Sequence, residues 1–159
     1  MRAGRHLDAQ LCCQQILARD PGRADTLHLM GLLCIHTGQL DHAVEWLAGA
    51  IRRDPKPLYL TTLGTVLLQQ GRGAEALKAF EKAVELEPEN AERWRNLGMV
   101  PAQLRRNDDA ILSFQHALKL EPRSWDAANK VAILLYQAAR FEDARVHLDL
   151  CETLKPNDI

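Results

Sequence analysis

Long apolar runs are missing from this chain of 159 residues, and a strong charge of either sign is missing too. The longest unbroken apolar stretch, VAILLY from Val131, is far too short to cross a bilayer, and the opening MRAGRHLDAQ has no apolar segment of the kind a signal peptide needs. Twenty basic against 21 acidic side chains leave a formal net charge of −1, so there is no electrostatic footprint for nucleic acid or an anionic membrane surface. The expected protein touches neither nucleic acid nor membrane, and a cytoplasmic location is the simplest expectation.

The hallmarks of catalysis and metal binding are also scarce. Of four cysteines, Cys12 and Cys13 are adjacent and Cys34 and Cys151 lie far away, so no CxxC pair exists. No HExxH occurs, and His28 and His36 are eight positions apart, which does not make them neighbours on a helix as four would. No metal and no cofactor are expected. GRGAEA from Gly71 has a G-x-G-x-x-A shape, yet it follows a helix-period segment where a dinucleotide loop would follow a strand. The acidic pairs Asp108 with Asp109 and Glu142 with Asp143 fall at helix starts, where negative charge suits the helix dipole. Nothing assembles a nucleophile, a base and an oxyanion donor, so the chain is not expected to be an enzyme.

What the sequence does contain is a repeat. Hydrophobic residues make up 47% and charged ones 26%, a balance that folds. The tripeptides RDP, RDP, LEP, LEP and LKP place prolines at 21, 55, 88, 122 and 156, in steps of 34, 33, 34 and 34. Between prolines, two segments carry apolar residues three and four apart, so each unit reads as a helix hairpin. Aligned on the prolines, Met30, Leu63, Leu97 and Val131 share a column, followed by Gly31, Gly64, Gly98 and Ala132. In the second helices Ala9, Ala43, Ala76, Ala110 and Ala144 form one small column, and Ala50, Ala83 and Ala117 another. Between these columns come Cys13, Leu47, Phe80, Phe114 and Leu148, expected to plug the space the small residues leave. Cys13, Cys34 and Cys151 fall in inward columns and read as reduced core residues, with Cys12 the most exposed.

The stretch LTTLGTVLLQQGRGAEALKAFEKAVELEP from Leu60, with WRNLG from Trp94 and DDAILSFQHALKLEP from Asp108, resembles the tetratricopeptide repeat (TPR) family across the whole chain. The resemblance implies an all-α fold, a right-handed α-α superhelix (a TPR solenoid) of antiparallel helix hairpins. Four full repeats are expected at 24–56, 57–90, 91–124 and 125–158, with residues 5–20 supplying the second helix of an earlier one. It also implies a noncatalytic scaffold whose partner is a protein or peptide segment held in a concave groove lined by the first helices. The expected groove residues are His28, Thr61, Thr65, Arg95, Asn96, Asn129 and Lys130, the last four as a cluster suited to a carboxylate or a peptide backbone. A chaperone-type carboxylate clamp fits poorly, because Thr61, Thr65 and Asp126 replace three of its members, and an asparagine ladder is absent, with Leu29, Thr62 and Lys130 in its column beside Asn96. The opening AGRHLDAQLCCQQILARDPGRADTLHLMG looks like repeat modules that bacteria fuse to glycosyltransferase or sulfotransferase domains, so the module of a larger enzyme is an alternative. A start in mid-repeat and an end soon after Pro156 lead to a further expectation, exposed apolar ends able to join copies into a homo-oligomer.

The third unit departs from its sisters twice. Pro101 takes the inward column of Cys34, Leu67 and Leu135, where proline removes a helical hydrogen bond and leaves the carbonyl of Leu97 without its donor. Arg105 stands where Gly38 and Gly71 close the first helices of two other units. The expected outcome is a kink that reshapes the groove, a kink tolerated by its neighbours, or a helix that ends early.

Overall fold

The computed structural model describes residues 11, 13, 15, 16 and 18 to 154. Ala9, Cys12, Pro156 and most of the leading half repeat lie outside the described residues. The chain divides into two compact units, Met1–Ala83 and Val84–Ile159. In the first unit the described residues from 11 to 19 are helical, and α1 (Ala24–His36), α2 (Leu40–Arg53), α3 (Pro57–Gln69) and most of α4 (Gly73–Leu86) follow. The second unit takes the end of α4 and then α5 (Ala91–Gln103), α6 (Asn107–Leu120), α7 (Trp125–Gln137) and α8 (Phe141–Leu154). Among the described residues there is no strand, and no helix is long and apolar enough to cross a membrane.

Local chemistry sets the helix ends. Pro57 opens α3 in the first turn, where its missing N–H is no loss. Asn90 caps α5 by accepting from the N–H of Glu92 at 3.0 Å, and Ser124 caps α7 by accepting from Ala127. The four first helices all end alike. The N–H groups of Gln39, Arg72, Arg106 and Arg140 reach back to the carbonyls of Cys34, Leu67, Pro101 and Leu135 at 2.8, 2.9, 2.8 and 2.9 Å. This is the Schellman closure, and it requires a left-handed residue just before each donor. Those residues are Gly38, Gly71, Arg105 and Ala139, with φ of 76°, 74°, 56° and 58°.

Pro101 does not shorten its helix. The first helices α1, α3, α5 and α7 each run 13 residues, with Pro101 buried inside α5, so the expectation of an early end is overturned. The reason lies in its place near the C-terminus. There the ring removes only the N–H that would reach the carbonyl of Leu97, while the carbonyl of Pro101 itself still accepts the closing bond from Arg106.

Packing within each unit follows the small and large columns. A Cβ added at Gly31 would lie 2.9 Å from Leu47, one at Gly64 2.7 Å from the Phe80 ring, and one at Gly98 2.9 Å from Phe114. In these three hairpins glycine therefore lets the second helix drive its plug against the backbone of the first. In the first unit Cys34, Ala43, Leu47 and Val66 form one buried cluster, and Leu27, Ala50 and Tyr59 another. In the second, Ala110, Ile111, Phe114, Val131, Leu134, Leu135 and Ala144 pack together from α6, α7 and α8. Leu148 does not plug as expected: it is 46% exposed, against 0% for Leu47 and 2% for Phe114. The helices that carry Leu47 and Phe114 each pack against the helix before and the helix after, whereas among the described residues α8 packs against α7 alone.

Candidate functional site

In the first unit the expected groove residues are engaged within the protein, His28 with the next first helix and the two threonines with their own. His28, buried on α1, has its Nε2 3.1 Å from the Oγ1 of Thr62 on α3, and its ring lies 4.7 Å from that of Tyr59. Burial holds the His28 imidazole below its usual range, against the pull of Asp25. The Thr61 hydroxyl donates to the carbonyl of Pro57 at 2.8 Å, and that of Thr65 to the carbonyl of Thr61 at 3.0 Å. Both are half-buried, and each donates its proton back into its own helix.

Beside them lies a network that the repeat columns did not indicate. Asp25 accepts a hydrogen bond from the Tyr59 hydroxyl and another from Lys56 Nζ at 2.9 Å. Lys56 also pairs with Asp54 at 3.1 Å and sits 5.3 Å from the centre of the Tyr59 ring. The Tyr59 hydroxyl and then Lys56 hold the Asp25 carboxyl below its usual range, and Asp25 in turn raises Lys56. Burial, followed by the bond to Asp25, pushes the Tyr59 phenol up. The available signal was the 34-residue offset from Asp25 to Tyr59, one repeat apart on successive first helices.

The second unit carries the other four expected residues. Arg95 on α5 pairs with Glu121 at 2.6 Å and donates to Ser124 Oγ at 3.5 Å, tying α5 to the cap of α7. Asn96 and Asn129 are half-buried and Lys130 is exposed. The side chains of these three make no hydrogen bond or ion pair among the described residues. Around them the frame is firm. Buried Arg93 donates to Glu87 at 2.9 Å, Asn90 donates to the same carboxylate at 3.0 Å, and the Trp94 indole donates to the carbonyl of Pro88 at 2.7 Å while stacking on His116 at 3.9 Å. Firm support with polar tips left over offers hydrogen-bond donors and acceptors of the kind that amide and carboxylate groups match.

Known proteins share this architecture. Family models described as tetratricopeptide repeat match residues 61–115 and 102–158, and another so described matches residues 1–64. Among curated proteins, BBSome complex member BBS4 of Bos taurus is 34% identical over 71 residues, which cover 45% of this chain but only 14% of that protein. Among solved structures, PilF of Pseudomonas aeruginosa is 25% identical with a TM-score of 0.83, over 99% of this chain and 72% of its own. MamA AMB-1 is 28% identical with a TM-score of 0.79, over 96% of this chain and 84% of its own. YrrB, a TPR protein with an unusual peptide-binding site, is 22% identical with a TM-score of 0.82, over 99% of this chain and 81% of its own.

Proposed function

The chain belongs to the tetratricopeptide repeat family, and from that membership we propose a noncatalytic scaffold that holds a peptide or protein segment along its first helices, with Asn96, Asn129 and Lys130 reading the segment. The observation that carries this reading is the contrast within the expected set. His28 and Arg95 are engaged with neighbouring residues and the Thr61 and Thr65 hydroxyls donate to their own helix, whereas the two asparagines and the lysine keep their donors and acceptors for something outside the described chain. Paired amides match a peptide backbone, and a lysine adds attraction for an acidic residue.

Selection of a ligand from a displayed random peptide library, followed by calorimetric titration, tests the reading. Asn129→Ala combined with Lys130→Glu is expected to weaken binding about tenfold or more. Failure to select any peptide, or equal affinity in the variant, rejects it. Arg95→Glu is a poor probe, since it sets a new carboxylate against Glu121 and disturbs the cap of α7.

A second reading, self-association, has its own support in exposed Tyr136, Phe141, Val146 and Leu148 at the end of the second unit. Light scattering over a concentration series checks it, with a dimer expected that Phe141→Glu dissociates. A monomer at every concentration removes it.

A further inference from the structure

Each unit contains a cleft at the same place in its repeat register, where the turn that closes one first helix faces the end of the next first helix. In the first unit the cleft holds about 450 Å³ and is lined by Gly38, Leu40, Asp41, Gln70 and Arg72. Its polar groups satisfy one another: Gln70 donates to Asp41 at 2.8 Å, and Arg72 donates to Gln70 at 3.1 Å and to Glu75 at 2.7 Å. In the second unit the cleft holds about 470 Å³ and is lined by Ala102, Gln103, Arg105, Asn107 and Gln137. The repeat register puts Arg105 where the first cleft has Gly38, and Asn107 where it has Leu40. Here the side chains of Gln103, Arg105, Asn107 and Gln137 make no hydrogen bond or ion pair among the described residues.

Charge points the same way. The two carboxylates that follow Asn107 are already matched, Asp109 by Arg106 at 2.6 Å and Asp108 by Arg140 at 3.8 Å. The Arg105 guanidinium is thus an uncompensated cation, carried at a left-handed position that disfavours any side chain over glycine. A guanidinium offers paired N–H groups matched to a carboxylate, and three amides offer both donors and acceptors to a peptide bond next to it. We propose that the cleft between the α5–α6 turn and the end of α7 is a carboxylate subsite for a peptide, in which Arg105 holds the carboxylate and Gln103, Asn107 and Gln137 hold the adjoining peptide group. The proposal rests on the reading of this chain as a peptide scaffold and adds a site outside the residues named there. The carboxylate comes from a chain end or from an acidic side chain, and the chemistry is shared.

Three short peptides, titrated into the isotope-labelled full chain and followed by NMR, separate these sources. Acetyl-trialanine with a free carboxylate offers only a chain end, acetyl-Ala-Asp-Ala amide only a side chain, and acetyl-trialanine amide neither. At least one of the first two is expected to move the side-chain amide signals of Gln103, Asn107 and Gln137, with no response to the third. Arg105→Gly is expected to weaken that binding about tenfold or more. The same substitution relieves the left-handed backbone, so a raised melting temperature shows that loss of binding is not loss of folding. Equal shifts from all three peptides, no shifts at these amides, or unchanged affinity in Arg105→Gly overturns the subsite. If a peptide moves Asn96 and Asn129 but not the cleft, the subsite falls and the scaffold reading stands; if only the cleft responds, the subsite stands and the Asn96, Asn129 and Lys130 face falls.

Discussion

At the residue scale, Ala139 and Pro101 each oppose their local geometry, in ways that experiment can weigh separately. Ala139 takes φ of 58° in the column where the first unit has Gly38 and Gly71, and a left-handed L-residue costs about 1–2 kcal/mol. Ala139→Gly should therefore raise the unfolding free energy by about 1 kcal/mol in urea, partly offset by the extra freedom glycine gains when unfolded. A lower value would show that the methyl group makes contacts worth more than the strain. Pro101→Leu restores the donor to Leu97 and puts in the residue found at Leu67 and Leu135, so it should raise stability by about 2 kcal/mol. An unchanged or lower melting temperature would mean that the neighbours are packed around the ring. The sequence showed Arg105 in a glycine column because an arginine there is conspicuous. Ala139 carries no such signal, because alanine is ordinary wherever a helix is expected.

At the level of the hairpin, the contacts between Gly64 and Phe80 and between Gly49 and Leu27 separate two uses of glycine. A methyl group at Gly64 would meet the Phe80 ring at 2.7 Å, while one at Gly49 would meet Leu27 at 3.7 Å, an ordinary contact. Gly64→Ala should lower stability by about 1–3 kcal/mol. Gly49→Ala, inside α2, should raise it by about 0.5–1 kcal/mol. Urea unfolding of both variants checks the pair, and equal signs would contradict the packing described. This part of the fold was legible because steric fit fixes residue size column by column, and size survives in the sequence as a 34-residue rhythm. The candidate site was less legible. Asp25, Lys56 and Tyr59 meet through long side chains from two helices and a connection, and Arg95 meets Glu121 across 26 positions. Polar reach of that kind depends on rotamers, which periodicity does not record.

Across the molecule, acid should loosen the fold through two imidazoles, buried His28 and half-buried His147. His28 and His147 both titrate below the ordinary value of 6.5 because burial disfavours their charged forms, and among the described residues the buried Nδ1 of His147 has no hydrogen-bond partner. The unfolded chain then binds more protons than the folded one once the pH drops through 6.5, so stability falls from there toward the lower folded values. Asp25 and Glu75, whose folded values lie below 3.8 and 4.5, lose their contributions only in more acidic solution. The melting temperature should drop between about pH 7.5 and about pH 5.5, and His28→Gln with His147→Leu should flatten the slope. A flat wild-type profile would sink the assignment. The order of helix contacts has a kinetic consequence as well. Within each unit the packed pairs α1 with α2, α2 with α3, α5 with α6, α6 with α7 and α7 with α8 are immediate neighbours along the chain. Each contact closes a loop of only a few residues, so the search for partners is short and the entropy lost before the first packing gain is small. Refolding should then begin at whichever hairpin closes first and spread to its neighbours on the fast timescale of helical proteins, while a strand-built domain of the same length would still be seeking its distant partners.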